Sequence, residues 1–231
     1  MYKIALCISG KSRWSMISYP FLYDSFINVP SNIKIDVFYH TWNCENRVIQ
    51  LWNPKKVIID SEELAYQHIL NNVKIPIDYN KEYTEERVFT TLLMYYGIHK
   101  IISEVSGYDY IIRIRPDIFL YEKINLLNII NEISDDKYDI WIPNKTFNYS
   151  PEGYNDQFAI GSEKNMKIYA DVYNNLSTYI NTNARWFSEE FLYMHLVKNN
   201  QRVEQSEINY RLIRDVNIKT NHNDIPPYKL Y

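Results

Sequence analysis

Glycine and cysteine are scarce in this chain of 231 residues, which contains 5 glycines and 2 cysteines. Two thiols form neither a disulfide framework nor a zinc site, so Cys7 and Cys44 are expected to be free thiols. Free thiols are typical of a reducing compartment. With so few glycines, flexible turns should be rare.

An excess of charge of one sign is also missing. The 25 basic and 28 acidic side chains leave a net charge of −3, and the pI is near 6.0. A protein that binds nucleic acid mainly by electrostatics normally has a basic face and a pI above about 9. The sequence therefore argues against a nucleic-acid partner of that kind.

Long apolar runs are absent as well. No run approaches the roughly 18 residues that span a bilayer, and the chain enters a strand-like segment at once, without a signal-peptide cleavage pattern. We therefore expect a cytoplasmic protein with no transmembrane segment. The apolar content of 46 % nevertheless excludes wholesale disorder.

Short apolar segments alternate with helical patterns in the first half of the chain, which predicts βαβ units and a mostly parallel sheet flanked by helices. Strands are predicted at 2–8, 34–39, 56–59, 110–117, 139–142 and 157–160. Helices are predicted at 14–27, from Ser61 onward, at 84–106 with Gly107 as the stop, at 163–179 and at 188–199. A functional loop is predicted at 143–155, because loops of this length usually serve a function.

The most informative motif is Arg113-Ile-Arg115-Pro116-Asp117. The two-residue period of a strand puts both arginines and Asp117 on one face, and these charges cannot be buried together without partners. Pro116 should end regular strand pairing and direct Asp117 out of the sheet. Asp117 could then ligate a divalent metal while the arginines contact phosphate. The alternative is a structural network of arginine and aspartate.

The turn after the first strand, Ser9-Gly10-Lys11-Ser12, ends like a phosphate-binding P-loop. The first glycine of that motif would fall at Ala5, so a true P-loop is not indicated. Ligands still bind at the carboxyl ends of strands in open α/β sheets. Candidate nucleotide-binding residues at such positions are Ser9, Gly10, Arg13, His40 and Asp60, with an ordinary turn and a structural histidine as the alternatives.

Acidic residues later in the chain are the candidates for catalysis. Asp156 lies in a polar segment suited to hydrogen bonding with hydroxyl groups, or it simply begins a strand. Glu189 and Glu190 follow Ser188 at the start of an apolar helix. Ser188 as N-cap, with acids in the first turn, is also what helix-dipole chemistry alone favours.

Taken in order, these segments resemble nucleotide-sugar-dependent glycosyltransferases of the A-type (GT-A) fold, particularly the branch found in bacterial capsule, lipopolysaccharide and large-virus glycan clusters. The resembling segments are Ile4–Gly10, Asp36–Trp42, Met94–Gly97, Tyr108–Asp117, Asp156–Phe158 with Gly161–Ser162, and Glu189–Val203. The resemblance implies one α/β domain over 1–231. It would comprise a Rossmann-like nucleotide-binding half (1–120), an acceptor-side half (121–210) and a C-terminal tail (211–231).

The resemblance also implies roles for individual residues. Asp117 resembles the last aspartate of the family's Asp-x-Asp metal motif, although Arg115 occupies the first position, and His222 corresponds to a C-terminal metal-binding histidine. Bound Mn²⁺ or Mg²⁺ is therefore expected. Glu189 corresponds to the catalytic base, and Glu190 is the second choice.

The implied reaction is a metal-assisted, inverting transfer of a sugar from a nucleoside-diphosphate sugar, a UDP-sugar as first choice, to a glycan or other hydroxyl acceptor. Two alternatives stay open. One is a non-catalytic module that binds glycans or nucleotides, suggested by the 22 tyrosines and 5 tryptophans that could stack on sugar rings. The other is a sulfotransferase-like enzyme.

Overall fold

The computed structural model describes residues 1–12, 15–42, 46–75, 84–144, 153–182 and 186–213. Its strands are β1 (Tyr2–Ser9), β2 (Ile33–Thr41), β3 (Lys56–Ile59), β4 (Tyr110–Ile114), β5 (Ile118–Leu120), β6 (Ile140–Pro143), β7 (Phe158–Ser162), β8 (Val203–Ser206) and β9 (Tyr210–Leu212). Its helices are α1 (Ser15–Phe26), α2 (Asn46–Trp52), α3 (Glu62–Asn72), α4 (Glu85–Ile102), α5 (Leu126–Ser134), α6 (Glu163–Ala170), α7 (Val172–Ile180) and α8 (Ser188–Lys198).

A central sheet of seven described strands has the order β3-β2-β1-β4-β7-β6-β8. All pairings are parallel except those of β7, which runs antiparallel to both β4 and β6. A separate antiparallel pair is formed by β5 and β9. The predicted α/β architecture, a mostly parallel sheet flanked by helices, is thereby confirmed.

Both faces of the central strands are covered by apolar packing, which explains why these strands are continuous apolar runs in the sequence. On β1, Ala5 and Cys7 belong to the core cluster that includes α4, α6, α7 and α8. Ile4, Leu6 and Ile8 belong to the cluster on the opposite face, with α1 and α5. The same alternation on β4 places Arg113 on the face of Ile111, under α4.

The long helix α4 is shorter than predicted. Thr84 caps its N-terminus by accepting a hydrogen bond from the Arg87 amide at 3.3 Å, but the helix ends at Ile102 rather than at 106. The amides of Glu104 and Val105 bond to carbonyls only three residues back, which tightens the last turn and ends the regular ladder. Gly107 lies farther on, at a φ of +76°.

Two further helix predictions need correction. The single helix expected at 163–179 is divided at Asp171, which is both the C-cap of α6 and the N-cap of α7. The Asp171 carboxylate accepts hydrogen bonds from the Asn174 and Asn175 side chains. Ser188 is not the N-cap of α8, because Phe187 holds that position. The Ser188 hydroxyl instead donates to Glu189 Oε2 at 3.1 Å.

The elements α2, α5, β5, β8 and β9 were not predicted as such. Pro116 ends β4 early, as expected, so the segment 110–120 forms two strands with a turn between them. Among the described helices, none has the length and apolar character needed to cross a bilayer.

Buried side chains of β4 should contribute far more to the free energy of unfolding than exposed apolar side chains on the helices. Ile112 is fully buried while Leu64 on α3 is 72 % exposed. We expect Ile112→Ala to lower the free energy of unfolding by about 2–5 kcal/mol, through lost transfer energy and an unfilled cavity. Leu64→Ala should change it by about 0.5 kcal/mol or less. Urea unfolding of the two variants measures this, and equal effects would contradict the described core.

Candidate functional site

A cleft opens at the carboxyl ends of β1, β2 and β4, where ligands bind in open α/β sheets. Its cavity volume is about 160 Å³. The lining residues come from the strand ends, the turns that follow them, and helices α3 and α4. They are Ser9, Gly10, Lys11, His40, Trp42, Glu62, Thr90, Leu93, Met94, Gly97, Arg113, Arg115 and Asp117.

Gly10 allows two turns to meet at the floor of this cleft. Its φ of +142° is one that L side chains rarely adopt, and a Cβ at this position would lie 3.1 Å from Pro116 Cδ. The Gly10 amide donates to the His40 carbonyl at 3.2 Å. The glycine thus brings the turn after β1 against the turn after β4.

His40 is the residue before last in β2, and its side chain is fully buried. Its Nε2 lies 3.2 Å from Asp60 Oδ2, and its Nδ1 has no hydrogen-bond partner among the described residues. Burial lowers the pKa of His40, and the Asp60 charge opposes that effect. A neutral ring that donates Nε2–H to Asp60 presents Nδ1 as an acceptor.

Arg113 is the most unusual residue in the site, because its guanidinium is completely buried. Its Nη1 donates to the backbone carbonyl of Asp156. Its Nε and Nη2 have no partner in the described ranges. Burial lowers the pKa of Arg113, but an arginine stays protonated in proteins. Each unsatisfied buried donor costs about 1–3 kcal/mol, so Arg113 is held in the site at an energetic cost.

Arg115 and Asp117 form a bidentate ion pair. Arg115 Nε donates to Asp117 Oδ1 and Nη2 donates to Oδ2, both at 2.8 Å. Burial alone would lower the pKa of Arg115, but the hydrogen bonds and charge of Asp117 raise it overall. The arginine-aspartate network that the sequence left open as an alternative is therefore present.

This donor set does not fit a divalent cation. Both carboxylate oxygens of Asp117 are engaged by a guanidinium, and two arginines lie where a hard cation would need further oxygen ligands. Within the described ranges, no group of three or more histidine, cysteine, aspartate or glutamate side chains could hold a metal. His222, the other predicted ligand, lies outside the described residues.

A second acidic region lies next to the cleft. Burial raises the pKa of Glu189, and the negative charge of Asp156 raises it further. The Tyr154 amide donates to the Glu189 carbonyl at 2.9 Å, and a Cβ on Gly153 would lie 3.1 Å from Glu189 Cβ. The segment before β7 therefore packs tightly against the start of α8.

The structure brings together half of the predicted site residues in one cleft. These are Ser9, Gly10, His40, Arg113, Arg115 and Asp117. Asp60 contacts the cleft through His40, and Asp156 does so through Arg113. Glu189 and Glu190 are in the first turn of α8 and do not line the cleft. Arg13, like His222, falls outside the described residues, and the roles of all these residues stay predictions.

Several lining residues were not predicted as ligand-binding. Lys11 pairs with Glu62 at 2.9 Å across the mouth, a contact between distant residues that no local pattern reveals. Gly97 could have been singled out from the sequence, because a glycine inside a helix costs about 1 kcal/mol relative to alanine and therefore indicates a close contact. A Cβ there would lie 2.8 Å from His40 Nδ1, so this glycine makes room for the histidine.

Comparison with known proteins identifies the fold. No protein-family model matches the sequence, and no curated protein matches it. Among solved structures, the apo form of mouse xyloside xylosyltransferase 1 is similar over 88 % of this chain and 84 % of that one, with a TM-score of 0.53 and 9 % identity. The apo-form glycosyltransferase GlyE of Streptococcus pneumoniae is similar over 89 % and 46 %, with a TM-score of 0.50 and 10 % identity.

This chain has the GT-A glycosyltransferase fold. The identities of 9 % and 10 % support the fold alone, so the expected relation to capsule, lipopolysaccharide and large-virus enzymes stays a prediction. The GT-A sheet accounts for the position of the cleft, at the carboxyl ends of its parallel strands.

The contact between Gly97 and His40 can be tested by a double-mutant cycle. We expect Gly97→Ala to lower the free energy of unfolding by about 1–3 kcal/mol, because the methyl group collides with a buried ring. In a His40→Ala background the same change should be neutral or stabilising by up to about 1 kcal/mol, since alanine favours the helix. An equal cost in both backgrounds, measured by urea unfolding, would contradict the contact.

Proposed function

We propose that this protein is a glycosyltransferase that takes its sugar from a nucleoside diphosphate, with a UDP-sugar as first choice, and binds that donor in the GT-A cleft. One observation carries the proposal. Buried polar atoms on three neighbouring strands, Ser9 Oγ, His40 Nδ1 and Arg113 Nε and Nη2, have no partner in the described ranges, and their residues all line this cleft.

The chemistry of these atoms suits a diphosphate. Guanidinium and hydroxyl groups donate to phosphate oxygens, and arginine is especially common where phosphate is recognised. His40 packs against Gly97 and forms part of the cleft wall. Both similar structures carry glycosyltransferase names, which supports glycosyl transfer as the reaction class.

The proposed chemical step is a direct displacement. The acceptor hydroxyl oxygen bonds to the anomeric carbon, the bond between that carbon and the diphosphate oxygen breaks, and the diphosphate leaves with the electron pair. Glu189 takes the hydroxyl proton, and the anomeric configuration is inverted. Its raised pKa supports this role, because a carboxylate with a higher pKa is the stronger base.

No step in this mechanism passes through a metal ion, because Arg115 engages both oxygens of Asp117. Four further expectations stay predictions: the metal role of His222, a glycan or glycoconjugate as the acceptor, a place in polysaccharide biosynthesis, and a cytoplasmic location. We also propose that the chain is organised into a nucleotide-binding half, an acceptor-side half and a tail.

Turnover of donor sugars with Glu189→Gln tests the proposed base. With UDP-, GDP- and TDP-sugars and a panel of glycan acceptors, kcat should fall by about 10²–10⁴-fold, the usual contribution of a general base. Affinity for the nucleotide should stay unchanged, since Glu189 does not line the cleft. Glu122→Gln on an exposed surface is the matched control and should retain full activity.

Nucleotide binding without any turnover, in the unaltered protein, would instead favour the non-catalytic binding module. Full activity of Glu189→Gln together with loss in Glu190→Gln would transfer the base assignment to Glu190.

The pH dependence follows from the direction of the pKa shift. Glu189 accepts a proton only when ionised, so kcat of the unaltered protein should fall as the pH drops through a pKa above the usual 4.5. Glu189→Gln should abolish this acid limb in a kcat profile. An unchanged limb in the variant would assign it to another group.

A further inference from the structure

We propose that the cleft binds the donor's diphosphate directly through Arg113 and Arg115, without a divalent cation. This inference rests on the proposed function and names the groups that neutralise the leaving diphosphate at the same site. Its basis is the placement of two guanidinium groups and the engagement of Asp117, the carboxylate predicted to bind the metal, by one of them.

Arg113 contributes two N–H donors that bond to no other described residue. Its side chain is fully buried on β4 and lines the cleft. One nitrogen, Nη1, is held by the Asp156 carbonyl, which anchors the guanidinium plane. Nε and Nη2 then remain as two buried donors with no partner in the described ranges. Two fixed donors on one plane match a pair of phosphate oxygens.

Arg115 contributes the second positive charge. Its ion pair with Asp117 uses one N–H on Nε and one on Nη2, whereas a guanidinium has five N–H donors. The pair therefore fixes the orientation of Arg115 and leaves it with further donors. Asp117 is 4 % exposed, and its backbone carbonyl accepts from the Ile213 amide at 2.8 Å. The buried and hydrogen-bonded Asp117 thus fixes the orientation of the Arg115 guanidinium.

A divalent cation at Asp117 would have to displace Arg115 from both carboxylate oxygens and would then lie against a positive guanidinium. Among the described residues that line the cleft, the remaining positive group, Lys11, is paired with Glu62. Within the described ranges, the two arginines are thus the groups placed to neutralise a diphosphate. In the reaction, charge develops on the leaving diphosphate oxygen, and fixed guanidinium donors stabilise it without any rearrangement of the site.

The decisive experiment measures nucleotide affinity with and without a cation. UDP, GDP and TDP are titrated calorimetrically into the unaltered protein, once in EDTA and once in Mn²⁺. For the nucleotide that binds, we expect Kd values that agree within about twofold, since direct charge pairing needs no metal. A Kd that is threefold or more weaker in EDTA would overturn the inference and leave the proposed function in place.

Two variants sharpen the result. Asp117→Asn should leave the ratio of the two Kd values unchanged, whereas a metal ligand would make the Mn²⁺ response disappear in this variant. Arg113→Lys should weaken binding tenfold or more in both buffers, because a lysine cannot reproduce the planar pair of donors. Arg211→Lys, an exposed change on β9, is the matched control and should have no effect.

If Arg113→Lys does not fold, the titrations of the unaltered protein and of Asp117→Asn still decide the question. Failure of all three nucleotides to bind in either buffer would overturn the proposed function and this inference with it. That result is distinct from cation-dependent binding, which overturns the inference alone.

Discussion

The buried charge of Arg113 is the constraint around which the site is built. A guanidinium inside an apolar sheet is costly to desolvate, and the cost is tolerable only where the charge has partners. The antiparallel pairing of β7 with β4 provides one partner for this guanidinium: Phe158 pairs with Ile114, so the residues just before β7 meet the carboxyl end of β4. There the Asp156 carbonyl accepts from Arg113, and the Gln157 carbonyl accepts from the Arg115 amide at 3.2 Å.

The same segment joins the cleft to the proposed catalytic helix. Gly153 and Tyr154 pack against Glu189, and the Asp156 charge contributes to the raised pKa of that glutamate. Farther on, the Gln157 side chain accepts from the Tyr210 hydroxyl at 2.9 Å, which ties β9 to the site. One stretch of about five residues thus connects the cleft, the proposed base and the C-terminal strand pair.

The sequence predicted the elements whose signal is local. Continuous apolar runs identified β1 and β4, and Pro116 correctly marked the end of β4. The pattern Arg113, Arg115 and Asp117 identified the charged end of that strand, but it could not decide between a metal ligand and an ion pair. That choice depends on how the chain turns after Pro116, where Arg115 folds back onto Asp117.

The features that escaped prediction depend on tertiary contacts. The half-exposed strands β8 and β9 carry little apolar signal of their own and form because β6 and β5 pair with them. At the division of α6 from α7, the Asn175 side chain donates to the Asp171 carbonyl at 3.0 Å, and such a bond competes with the helical ladder. Lys11 and Glu62 meet only because β1 and α3 come together at one end of the sheet.

The most direct test of the account is a crystal structure of the protein grown with UDP in the absence of divalent cations. The account predicts the diphosphate in the cleft at the ends of β1, β2 and β4, with phosphate oxygens within hydrogen-bond distance of Arg113 Nε or Nη2. A diphosphate bound elsewhere on the molecule, with the Arg113 donors facing no ligand, would contradict it.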